Sequence, residues 1–118
     1  MTEDQRHIAQ EMLASVRAVL RELAQMSREQ WMRSGQAQWH VMRAMVVVGT
    51  GVGQLFWLLV RYPDPWWWRA ERLGYGVRGG RSRFDLAYLW DAIPRDWPHL
   101  ERKLMQLLDD NPSPVPHP

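Results

Sequence analysis

Residues 44–60 read AMVVVGTGVGQLFWLLV, seventeen residues without a charge, closed by Arg43 on one side and Arg61 on the other. No other apolar run in the chain is as long, so the fold turns on where this one is buried. As a helix it would cover about 26 Å, at 1.5 Å per residue. A bilayer core is about 30 Å thick and accepts spans down to ~17 residues. The run is therefore a short candidate for a single transmembrane span. Val41, Met42 and Tyr62 would lengthen it if Arg43 snorkels along its aliphatic stem.

The flanks favour a membrane environment. Trp39 precedes the run, and Tyr62, Trp66, Trp67 and Trp68 follow it. Indole and phenol rings prefer the headgroup layer, where one edge is wet and the body is apolar. Arginines accompany the rings on both sides: Arg33 and Arg43 before the run, Arg61, Arg69 and Arg72 after it. Inside the run, Gly49 and Gly53 form a GxxxG pair that allows a close helix approach, and Gln54 can hydrogen-bond across such a contact. Gly49, Gly53 and Gln54 are thus the expected helix-packing residues. Trp66, Trp67, Trp68, Arg69 and Arg72 are the expected interfacial or partner anchor. Two other local readings are open: a central helix buried in a soluble protein, and a strand, MVVVG, that turns at GTGVG.

Hydropathy and charge limit how much of the chain lipid can take. The mean hydropathy of −0.46 leaves room for at most one segment in lipid. The net charge is only +2. Residues 61–83, however, hold six arginines against Asp64 and Glu71. Arginine forks onto phosphate and stacks on rings, which makes an anionic partner the natural expectation. In an alternative reading the chain is a soluble helical subunit of a nucleoprotein or phage-type assembly. There Arg78, Arg81 and Arg83, with Arg69 and Arg72, would contact nucleic-acid phosphates.

The N-terminal part reads as helix. Thr2 and Gln5 form a capping box, and Met12, Leu13, Val16, Val19, Leu20 and Leu23 recur on one face. Ser27 with Gln30 offers a second box. Ser34-Gly35 is a weak point where the path can bend. Pro63 and Pro65 stop the central run. After them comes WWW: adjacent helical residues diverge by about 100°, so three indoles cannot share a face. Residues 82–93 predict a short helix ended by Pro94, and Asp96 caps a last helix carrying Leu100, Leu104, Leu107 and Leu108. The tail, NPSPVPHP, predicts an extended segment.

Chemistry is sparse. There is no cysteine. None of His7, His40, His99 and His117 stands three or four residues from another, so no helical metal pair exists. GYGVRGGRSR lacks the Gly-Lys-Ser/Thr of a phosphate loop, and GTGVG is only half a dinucleotide fingerprint. No cofactor, metal site, small-molecule substrate or catalytic residue is expected. The first ten residues, MTEDQRHIAQ, lack the basic start and apolar stretch of a cleavable signal peptide.

The expectation is an all-α protein: an amphipathic N-terminal helical arm (1–43), an apolar helix (44–60), a Trp/Arg/Gly-rich basic segment (61–83), a C-terminal helical pair (84–110) and a Pro-rich tail (111–118). Its expected role is a non-catalytic accessory or assembly subunit, partnered by other protein subunits and by membrane lipid. The expected location is the membrane or, under the alternative, the cytoplasm.

Overall fold

The structure is a computed structural model that describes residues 1–61, Trp67 and residues 86–112. These residues form helices and no strand: α1 (Glu3–Ala24), α2 (Arg28–Arg33), α3 (Gly35–Gln54), α4 (Phe56–Leu59) and α5 (Leu86–Asp110). The strand reading of MVVVG is thereby excluded.

Local chemistry sets the first boundaries. The Thr2 hydroxyl accepts from the Gln5 amide at 3.1 Å, and the Gln5 side chain accepts from the Thr2 amide at 2.8 Å. Glu3 and Asp4 sit at the positive end of the α1 dipole. Ser27 and Gln30 repeat the reciprocal pattern for α2. Ser34 closes α2 and opens α3, its hydroxyl accepting from the Ala37 amide at 3.1 Å. The chain redirects there, at the Ser34-Gly35 weak point.

α1 is not an arm. It lies between α3 and α5 and makes most of the contacts between helices. Its direction against each is antiparallel. Met12 meets Gly51 while Glu22, ten residues on, meets His40. Arg6 reaches the Leu108 carbonyl while Arg17 pairs with Glu101. The expected apolar face of α1 is the buried one, extended by Ala9, with Leu20 half-buried.

The core has two joined parts. Near the N-terminus of α1, residues such as Met12 and Val16 pack with Val48, Val52, Leu55, Leu59 and Leu104. Towards its C-terminus, Val19 and Leu23 pack with Trp31, Val41, Met45 and Ile93. Leu20 and Trp97 touch both parts.

Two expectations need correction. Residues 44–60 do not form one helix. α3 ends at Gln54, Leu55 leaves helical geometry at φ −98° and ψ 13°, and α4 adds one further turn. Glycines at 49, 51 and 53 lower helix propensity by up to about 1 kcal/mol each relative to alanine. Among the described residues no helix is long and apolar enough to cross a membrane. α3 has the length, but its first half carries Gln36, Gln38, His40 and Arg43.

The C-terminal helical pair is a single 25-residue helix, α5, with Pro94 and Pro98 inside it. Each proline removes an amide donor and costs about 3 kcal/mol in a helix interior. Against that, Leu89, Ile93, Leu100, Leu104, Leu107 and Leu108 are buried, each contributing roughly 1.5–3 kcal/mol. A break at Pro94 would swing one half off α1. Burial along the whole length outweighs the two prolines.

Candidate docking face

The central run has two sides, and only one is used by the core. At 100° per residue, Ala37, Val41, Ala44, Met45, Val48 and Val52 share one side of α3. All six are buried. The opposite side holds Trp39, Met42, Arg43, Val46, Thr50 and Gly53, half-buried or exposed. This second side is also largely apolar. It runs about 21 Å from Trp39 to Gly53.

α4 continues the division. Leu55, Leu58 and Leu59 enter the same core part as Val48 and Val52. Phe56, Trp57 and Val60 face away, and Trp57 is 81% exposed. The Phe56 and Trp57 rings meet edge to face, centroids 5.2 Å apart. Trp39, at 57% exposure, lies on the outward side of the first half of α3. Phe56, Trp57 and Val60 are thus neighbouring exposed apolar side chains at the end of the run.

The predicted packing residues divide between the two sides. Gly49 is buried, whereas Gly53 and Gln54 are exposed. Gly51, inside the same run, is in close approach to α1. A Cβ there would stand 2.6 Å from Met12 Cγ and nearer still to Sδ. Of the triple tryptophan, Trp67 is buried at 1% exposure among Val52, Leu55 and Leu59. One indole of the three therefore belongs to the monomer core. Trp66, Trp68, Arg69, Arg72, Arg78, Arg81 and Arg83 lie outside the described residues.

Beside the outward side of α3 runs a groove against α1, with a volume of ≈ 620 Å³. Alanines (Ala14, Ala18, Ala44) and Val47 contribute its apolar lining, and Glu11, Ser15, Glu22, His40 and Arg43 its polar lining. His40 Nδ1 lies 2.9 and 3.0 Å from the two Glu22 carboxylate oxygens, bridging α3 to α1. His7 Nε2 is 3.1 Å from Glu11 on the same helix. Both groove carboxylates are thus engaged by histidines. Among the described residues no three His, Asp or Glu side chains gather as a metal-holding group.

Two further contacts were hidden from sequence reading. Trp31 is wholly buried, and its indole N–H donates to the Leu86 carbonyl at 2.7 Å. Arg6 donates to the carbonyls of Leu108 and Asn111 at 3.2 and 2.8 Å. A cation there meets the negative end of the α5 dipole. Their only sequence signals, an indole in a short helix and an arginine on a polar face, are too common to single them out. No family model, curated protein or solved structure matches the chain.

Proposed function

We propose that the chain is a non-catalytic accessory or assembly subunit of a larger membrane-associated complex. It docks through the outward side of α3 and α4, together with the Trp/Arg-rich segment that follows. The observation that carries this reading is Trp57, 81% exposed beside Phe56 and Val60 at the end of the apolar run. A tryptophan in water forgoes much of the burial energy that makes it a frequent anchor at protein contacts. The core is complete without it: Leu55, Leu58, Leu59 and Trp67 fill the inner side. Residues 44–60 serve in this reading as a two-sided element, one side holding the bundle together and the other offered to the complex. Crossing the bilayer is no part of it.

Native electrophoresis of a mild-detergent extract tests the proposal. The full chain should migrate in a particle well above its own 14.0 kDa. Trp57→Ser should release it from that particle. Migration of the wild-type chain as a monomer, or a complex indifferent to Trp57→Ser, would overturn the reading.

A further inference from the structure

The outward side of α3 and α4 has a charge pattern that narrows its occupant. Residues 35–61 contain no Asp or Glu. The charges they do contain are Arg43, on the outward side of α3, and Arg61, just beyond α4; both are exposed. Among the described residues neither is paired with a carboxylate. Trp39, Val46, Trp57 and Val60 supply the apolar part between and beside them.

We infer that this face lies flat on an anionic lipid surface. The inference rests on the docking reading above and names the lipid of the membrane-associated complex, retained in a mild-detergent particle, as what this face meets there. Aromatic rings settle at the headgroup level, aliphatic side chains enter the acyl boundary, and guanidinium groups meet phosphate. Each arginine near an anionic leaflet strengthens partitioning roughly fivefold. The nearest carboxylates, Glu11 and Glu22, belong to α1 and line the groove beside this face. A second copy of the chain is a poorer occupant. Pairing residues 35–61 with themselves would bring arginines together with no acid from that segment to answer them. Nucleic acid is poorer still, because two arginines along a Val- and Trp-bearing face do not track a phosphate backbone.

The chain has no cysteine, so one introduced thiol can be labelled alone. Gln54→Cys places an environment-sensitive fluorophore on the exposed edge of the face, and Gln106→Cys places it on exposed α5. Each labelled full-length chain is mixed with vesicles of phosphatidylcholine, or of phosphatidylcholine with phosphatidylglycerol. The expected result is a blue shift at position 54 and none at 106, with the phosphatidylglycerol vesicles only. Arg43→Gln with Arg61→Gln should weaken vesicle binding by roughly 25-fold, from two fivefold terms. Helix content by circular dichroism should stay unchanged, since both side chains are exposed. No shift at position 54 with either vesicle, or equal shifts at 54 and 106, overturns the lipid inference. A shift at 54 that appears only when membrane proteins are present also overturns it, while leaving the docking reading standing with a protein as the partner.

Discussion

At Gly51 the α3 backbone lies against Met12 of α1, and a single methyl there is expected to be felt. Gly51→Ala would push against Met12, which is itself buried at 1% exposure. Overpacking of this kind costs about 1–3 kcal/mol, partly offset by alanine's better helix propensity of up to about 1 kcal/mol. A net loss of about 1 kcal/mol should appear as a lower urea midpoint. Gly35→Ala is the opposite case. Nothing lies within 4 Å of a Cβ at that position. It should raise stability by a few tenths to about 1 kcal/mol in the same titration. Trp31→Phe should lower it by about 1 kcal/mol or somewhat more, through loss of the bond to the Leu86 carbonyl and of indole packing. Caps were readable from sequence at this scale because both partners of each box lie three residues apart. The Gly51–Met12 approach was not. Gly51 looks like its neighbours Gly49 and Gly53 until Met12 of α1 is placed against it.

At the scale of elements, α5 shows how packing overrides a local stop signal. Pro94 is exposed, so its ring contributes little to the core. Its missing amide leaves the helix one internal bond short. Pro94→Ala is therefore expected to stabilise the protein, by up to about 3 kcal/mol, seen as a higher thermal midpoint. A fall in the midpoint would show that the proline shapes the helix to fit α1. Pro94 read as a terminus in the sequence because propensity is local, and the leucines after it reward continuation only when α1 lies alongside. The break at Leu55 is the reverse case. A run apolar from end to end suggested one helix, yet its glycines and the turn at Leu55 divide it into α3 and α4. Ser34→Ala, which removes the hydroxyl capping α3, should cost about 1 kcal/mol without changing docking.

For the whole molecule, the consequence is a separation of stability from recognition. Trp57→Ser should leave the unfolding midpoint within about 0.5 kcal/mol of wild type, as expected for a surface site, while abolishing association. Equal damage to both would mean that the indole holds the bundle and offers nothing outward. From the sequence alone came the helical class, the two capping boxes, the bend at Ser34-Gly35 and the buried stripe of α1, because each rests on residues within a few positions of one another. Tertiary structure alone decided which side of α3 is core and which is open. An uncharged run whose polar side chains are Thr50 and Gln54 carries too little periodicity to mark an inner face. Among the described residues it is chiefly α1, arriving from a distant part of the chain, that packs along one side of α3, while Trp39 and Trp57 stand exposed.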